Sequence, residues 1–260
     1  MLAHDRHQNI LDYLRNNKSL KVTSITKLFG VSTETVRRDL EHLEKEGYLR
    51  RVRGGAVLDN VNSQEVNFTL RETKNIQEKK EIAKMAVRYV TEGQSIALDV
   101  STTNTEFAKE LKQRFQRLTV ITNSLIIANE LSDMPQYTIL LPGGVLRNEE
   151  LCLVGHLAEE FFKGFHIDTF FMSVSGISLT EGLTDYGLGE YQVKMSMLEN
   201  SQNVIVLADS SKFDVASLLK VCHFDRIERI ISDSKLSEKV RQKYKNEGIE
   251  IANKSIIEEK

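Results

Sequence analysis

From residue 95 to residue 246 the sequence alternates short, continuously apolar runs with stretches of helical periodicity. The apolar runs are 95–100, 118–122, 137–141, 169–174, 204–208 and 227–232; between and after them, 105–115, 125–131, 157–162, 190–200 and 237–246 read as helices. A strand that is apolar on both of its faces is buried on both, and strands separated by helices run parallel. The expected fold class is therefore α/β, with a mainly parallel sheet covered by helices on both sides.

Ligands of such sheets bind beyond the carboxyl ends of the strands. The residues standing there are small, hydroxylated or charged. The first strand is followed by Asp99, Ser101, Thr102 and Thr103, the second by Thr122, Asn123 and Ser124, the third by Gly143 and Gly144, the fourth by Ser175, and the fifth by Asp209 and Lys212. Singly, each hydroxyl reads as a helix cap and each glycine pair as a turn. Together, free helix N–H groups, hydroxyls and the point charge of Lys212 describe an anion-accepting rim.

The first 58 residues follow another pattern. A helix over 5–16 carries Ile10, Leu11 and Leu14. An apolar segment with Ile25, Leu28 and Phe29 ends at Gly30, and Ser32 then caps a second helix over 33–46, stopped at Gly47. Helix, glycine turn and capped helix make a helix-turn-helix. Val36, Leu40 and Leu43 form the buried stripe of the second helix, so Thr33, Thr35, Arg37 and Arg38 face outward at its start, where a recognition helix meets base edges. Residues 48–57 read as a basic hairpin turning at Gly54-Gly55, a wing whose Arg51 and Arg53 reach phosphates or the minor groove. The expected DNA contacts are thus Ser32, Thr33, Thr35, Arg37, Arg38, Arg51, Arg53, Gly54 and Gly55.

Charge follows the same division. Residues 1–58 hold eleven basic and seven acidic side chains, a net charge of +4, while the rest of the chain is −6. A basic head on an acidic body assigns the polyanion to the head. Residues 59–74 are polar and aperiodic and read as a linker, which leaves 75–260 as the second domain. No apolar run approaches the ~20 residues that span a bilayer, and residues 1–6 lack the apolar centre of a signal peptide. The two cysteines, Cys152 and Cys222, have no metal-ligand spacing and read as small buried hydrophobes. A cytoplasmic protein without metal or cofactor is expected.

The run from Val31 to Glu44, with Gly47-Tyr48-Leu49 and Arg53-Gly54-Gly55-Ala56, closely resembles the signature of the DeoR family of bacterial regulators of sugar metabolism. Arg53 stands where that family usually carries His, a change that keeps a cationic donor. The resemblance extends through Leu98-Asp99, Ser101-Thr102-Thr103, residues 120–123, Gly143-Gly144, Ser175-Gly176-Ile177, Gly182-Leu183-Thr184, Glu190 with Lys194, and residues 209–213. Ser101 and Ser173 replace glycines common in the family.

The resemblance implies a second domain related to the ribose-phosphate isomerase and glucosamine-phosphate deaminase folds. It also implies a phosphorylated-sugar effector, with Glu190 and Lys194 near the sugar, and a repressor of a sugar catabolic operon. The partners expected are double-stranded operator DNA, a phosphosugar and further copies of the chain, as dimer or tetramer. The competing reading is a sugar-phosphate isomerase or deaminase bearing a DNA-binding domain. Such an enzyme needs a carboxylate base at the sugar carbon. Residues 171–177, where related enzymes are acid-rich, contain no acid, leaving Asp185 and Glu190 as candidates. The expectation is a regulator with no catalytic residues.

Overall fold

A computed structural model describes residues 3–17, 19–45, 49–57 and 68–253. The chain divides into two units, Met1–Leu70 and Arg71–Lys260.

The first unit contains α1 (Ala3–Asn17), β1 (Ser19–Lys21), α2 (Val22–Phe29), α3 (Thr33–Lys45), β2 (Arg50–Val52) and β3 (Gly55–Val57). The apolar stripes meet as expected: Ile10, Leu14, Ile25, Val36, Leu40 and Leu43 form one core with Leu20, Leu49 and Ala56. Gly30 ends α2 in the left-handed conformation, with φ of 64°. The wing is larger than the sequence suggests. Its three antiparallel strands lie in the order β1-β3-β2, so the short segment between α1 and α2 supplies a third strand.

The hairpin turns at Arg53-Gly54, with Val52 opposite Gly55, rather than at Gly54-Gly55. The two glycines therefore serve different ends. Gly54 has φ of 84° and open space around it, whereas Gly55 lies inside β3, where a Cβ would stand 2.0 Å from the Leu20 carbonyl oxygen.

The second unit follows α4 (Phe68–Thr73), which crosses the division. The expected linker thus ends in a helix; its residues 59–67 lie outside the described residues. Then come α5 (Ile76–Ala86), β4 (Ser95–Leu98), α6 (Thr102–Arg114), β5 (Thr119–Thr122), α7 (Leu125–Leu131), β6 (Thr138–Leu140), β7 (Val145–Arg147), β8 (Cys152–Val154) and α8 (His156–Phe162). The chain continues through β9 (Ile167–Ser173), β10 (Gly176–Ser178), β11 (Gly182–Asp185), α9 (Leu188–Glu199), β12 (Ser201–Leu207), β13 (Leu219–Cys222), β14 (Arg229–Ile231), α10 (Glu238–Lys245) and β15 (Ile251–Ala252).

Seven of these strands form one sheet in the order β15-β14-β12-β9-β4-β5-β6, and every pairing is parallel. Adjacent residues feed opposite faces. Phe170 and Met172 pack with Ala158, Phe162, Val193, Met197 and Tyr244 of α8, α9 and α10. Phe171 packs with Ile82, Phe107, Leu111 and Ile127 of α5, α6 and α7.

From β4 the chain winds outward through β5 and β6, then returns to β9 on the other side of β4 and winds outward again. The direction of winding reverses between β4 and β9, and the loops leaving these strands diverge into a crevice. Two additions, neither anticipated from the sequence, follow the carboxyl ends of strands. The β7–β8 hairpin succeeds β6, and the antiparallel sheet β10-β11-β13 draws on segments after β9 and β12.

Gly55→Ala is expected to destabilise the first unit by at least about 2 kcal/mol, because the clash is with backbone. Gly54→Asn should cost under about 1 kcal/mol, since Asn tolerates the left-handed region. Urea melts of the full chain, followed by far-UV circular dichroism, check the contrast.

Candidate functional site

In the first unit the Ser32 hydroxyl accepts from the Thr35 N–H at 3.1 Å and so caps α3. Val36, Leu40 and Leu43 bury one side of that helix, leaving Thr33, Arg37 and Arg38 exposed. Arg38 lies 3.4 Å from Glu34 in a loose, exposed pair, and neither Arg37 nor Arg53 has an ion pair among the described residues.

Two of the expected DNA contacts also hold the wing together. Gly55 is buried in β3. Arg51 donates from its side-chain Nε and its backbone N–H to the Glu44 carboxylate, both at 2.7 Å, and so ties the wing to α3.

An anchor missed in the sequence is Asp39. It is buried and receives the Arg6 guanidinium at 2.5 and 2.8 Å and His7 Nε2 at 2.9 Å. Burial works against the Asp39 charge, but these partners hold its carboxyl below the usual range. The signal was an acid at i+3 from the core residue Val36, beside the buried stripe of the helix.

In the second unit the crevice between β4 and β9 is closed by one lysine. Lys194 of α9 is buried and donates to the Ser173 carbonyl at 2.8 Å, to Asp185, and to Asp99 Oδ2 at 2.9 Å. An ammonium has three donors, and here all three are engaged. Burial opposes its charge, yet the two carboxylates raise its pKa above the ordinary lysine value. Asp185 is held below the usual carboxylate range by Lys194 and by hydrogen bonds from Ser175 at 2.7 Å and the Tyr186 N–H at 2.8 Å, which together outweigh its burial. Asp99 is pushed upward by its burial. It also accepts from Asn104 Nδ2 at 2.6 Å and from the Ser173 hydroxyl at 2.8 Å.

The other strand-end residues separate by what their polar atoms already do. Ser101 caps α6, accepting from the Asn104 N–H at 2.9 Å, and Ser124 caps α7. Thr122 donates to the Leu98 carbonyl at 2.6 Å and accepts from the Ser124 N–H. Asn123 accepts from the Val100 N–H and donates to the Leu153 carbonyl, binding the β7–β8 hairpin to the rim. Gly144 has φ of 152° and allows close approach to the Val154 carbonyl, while Gly143 faces open space. Asp209 caps a short 3-10 turn over Ser210–Lys212 and accepts from Asn75 Nδ2 at 3.2 Å.

Three side chains remain open. The Thr102 and Thr103 hydroxyls make no hydrogen bond among the described residues, and half-buried Lys212 has no carboxylate partner there. Glu190 lies apart from this group, 3.1 Å from Arg147 and in contact with the Cys152 thiol.

Sequence reasoning missed Arg71 and Lys79. Arg71 pairs with Glu150 and lies over the Tyr186 ring at 5.8 Å. Lys79 is buried and donates to the backbone carbonyls of Arg71 and, at 2.6 Å, Lys74. Burial pushes it down to about 8 against the pull of Asp209; Lys212 and Arg71 add to the depression. Arg71 fell in the segment taken as linker, and Lys79 was one lysine among several on an amphipathic helix.

Known proteins sharpen this picture. Residues 74–234 match the DeoR C-terminal sensor domain, and residues 6–62 match the DeoR-like helix-turn-helix domain. The chain belongs to the DeoR family. It is a DNA-binding transcriptional regulator with a sensor domain of that family.

Among DeoR-family relatives, the HTH-type transcriptional regulator GolR of Listeria innocua is 34% identical over 251 residues, covering 96% of this chain and 98% of its own. The HTH-type transcriptional repressor GlcR of Bacillus subtilis is 34% identical over 233 residues, covering 90% and 89%. A solved structure of ribose 5-phosphate isomerase A from Methanocaldococcus jannaschii is 20% identical over 54% of this chain and 55% of its own, with a TM-score of 0.40. Among the described residues no helix is long and apolar enough to cross a membrane.

Lys79 also gives this DeoR-family sensor unit a pH signature. Its pKa is about 8 when folded and 10.5 in the reference state. Between these values the unfolded chain binds more protons, so the Lys79 contribution to stability rises with pH across that window. Relative to Lys79→Met, the parent should gain up to about 3 kcal/mol between pH 7.5 and pH 10.5. Paired urea melts at the two pH values measure it; an unchanged difference means that Lys79 titrates normally.

Proposed function

We propose that the protein is a repressor of a sugar catabolic operon, released from its operator by a phosphorylated sugar held at the crevice between β4 and β9. The observation that carries this reading is the set of open donors at the rim. Among the described residues Lys212 lacks a carboxylate partner, and the Thr102 and Thr103 hydroxyls are unengaged at the N-terminus of α6, where N–H groups favour an anion. Ser101, Thr122, Asn123 and Ser124 shape the rim through backbone contacts.

The operator is read by Thr33, Thr35, Arg37 and Arg38 of α3, with Arg53 of the wing on phosphate. Operator half-sites call for two heads, so the working form is a homo-oligomer, at least a dimer. As a regulator of this kind the protein works in the cytoplasm. Catalysis is disfavoured by the state of the acids. Asp185 is tied to Lys194 and held below the range of a general base, and Glu190 is occupied by Arg147.

Arg37→Ala and Arg38→Ala should each weaken operator binding by about 1–3 kcal/mol if they read a base, or evenly across sequences, with a salt slope smaller by about 1, if they hold phosphate. Fluorescence anisotropy over a salt series measures both. Lys212→Ala should keep operator affinity and lose release by the sugar phosphate. Coupling of about 1–3 kcal/mol changes operator affinity roughly 5–150-fold. Titration of operator-bound parent and variant with a panel of sugar phosphates decides the matter. Release of both at the same concentration removes Lys212 from the site, and release of neither by any of them removes the reading.

A further inference from the structure

Exposed aliphatic side chains gather on one part of the sensor unit. Val145, Leu146 and Leu151 belong to the β7–β8 hairpin, and Leu157 and Leu188 stand in the first turns of α8 and α9. Both helix starts adjoin the hairpin. A Cβ on Gly144 would lie 3.5 Å from Ala158 of α8, and one on Gly189 of α9 would meet the Arg147 guanidinium at 2.6 Å. The outer strands of the main sheet, β6 and β15, present no such exposed side chain among the described residues. Contiguous apolar surface of this kind marks a contact with another macromolecule.

The hairpin also has an open edge. In β8, Leu153 donates to the Asn123 carbonyl at 2.8 Å and accepts from Asn123 Nδ2 at 3.3 Å, and Leu151 accepts from the Leu125 N–H at 2.9 Å. These backbone groups face the rim, so the alternate residues Cys152 and Val154 face β7, where they pair with Arg147 and Val145. Leu146 stands opposite Leu153 and turns its own N–H and C=O away from β8, where they meet no partner among the described residues. Edges of this sort are ordinarily blunted by lysine, proline or a bulge. Strand β7 has none of these, and its one charge, Arg147, is drawn towards Glu190 at 3.1 Å and Glu149 at 3.7 Å.

The edge fits a second copy of itself. In an antiparallel pair with a twofold axis at Leu146, each Leu146 exchanges both backbone bonds with its counterpart, Val145 faces Arg147, and Gly143 faces Glu149. The two charged residues of 143–149 then stand opposite an aliphatic side chain and a glycine with open space beside it. A parallel pair in register would set Arg147 against Arg147 and Glu149 against Glu149, which like-charge repulsion disfavours. Leu146 and Leu153 share one face of the hairpin, so the antiparallel pair makes an unbroken leucine row across four strands.

We propose that two copies of the chain join through β7, edge to edge, in a four-stranded antiparallel sheet with Leu146 on the twofold axis and Leu157 and Leu188 beside the seam. The proposal rests on the homo-oligomeric reading above and deepens it by naming the surface. Because Asn123 binds β8 to the rim, the seam lies two strands from the candidate site, and the two sites of a dimer are spanned by one continuous sheet.

The test is sedimentation velocity on the full chain, with thermal melts to establish that each variant folds. The parent should sediment as a dimer or larger. Leu146→Asp and Leu146→Lys each place two like charges on the axis and should weaken the association at least about tenfold, a dimer giving monomer or a tetramer giving dimer. Mixing the two variants in equal amounts sets Asp against Lys and should restore the parent's assembly, as a contact between the two copies of Leu146 requires. Hydrogen exchange on the parent needs no variant: the Leu146 amide should be protected in the assembled protein and lose that protection on dilution. An assembled parent whose Leu146 amide exchanges freely, or whose assembly survives both substitutions, overturns the interface and leaves the oligomeric reading intact. So does dissociation of the variants without recovery on mixing. A parent that binds its operator as a monomer overturns both.

Discussion

One buried ammonium organises the sensor unit. Lys194 reaches from α9 to three oxygens supplied by the ends of three strands: Ser173 of β9, Asp99 after β4 and Asp185 of β11. Two carboxylates and an ammonium taken out of water are stable only when mutually satisfied. Removing one partner of such a group typically costs about 3–5 kcal/mol. The cluster lies where the winding of the sheet reverses, and therefore where backbone hydrogen bonding no longer holds neighbouring loops together. It fixes the spacing of those loops, and the rest of the rim takes its position from them. Asp99 orients Asn104, Asn104 returns its N–H to Ser101, and that cap sets the first turn of α6, where Thr102 and Thr103 stand.

The polar residues of the rim divide between construction and reception. Ser101, Thr122, Asn123 and Ser124 are almost wholly buried and satisfy backbone groups that the sheet edge leaves over. A buried amide or hydroxyl left unpaired is costly, so these residue types are needed there whatever binds. Their presence marks a rim but does not identify ligand contacts. The informative groups are those with unmet capacity, which here gather at the Lys212 end.

Much of the architecture was legible because it is written in period and burial. Continuous apolar runs such as 118–122 and 204–208 gave the parallel strands, and the Val36-Leu40-Leu43 stripe gave the recognition helix. The small antiparallel strands were not legible: Cys152–Val154 and Gly176–Ser178 are three residues long and too short to show a period. Their pairing is decided by neighbours distant in sequence. The turn at Arg53-Gly54 was displaced by one residue because Gly55 looks like a turn glycine and is instead required by the close approach of β1. At the candidate site, residue types predicted the strand-end rim, but spacing alone could not reveal that Lys194 has no free donor. Nor could it reveal that Lys79, eight residues from Arg71 on a different helix, folds back onto its carbonyl.

The bonds from Lys79 reach main-chain oxygens of residues 71 and 74, not side chains. Carbonyls are common to every amino acid, so these two bonds form whatever side chains stand at residues 71 and 74. The Arg71 side chain adds its own pair with Glu150, which only a cation at that position can make. Substitution at 74 therefore leaves the fastening of this segment to α5 intact, while substitution at 71 removes its ionic half and keeps its backbone half.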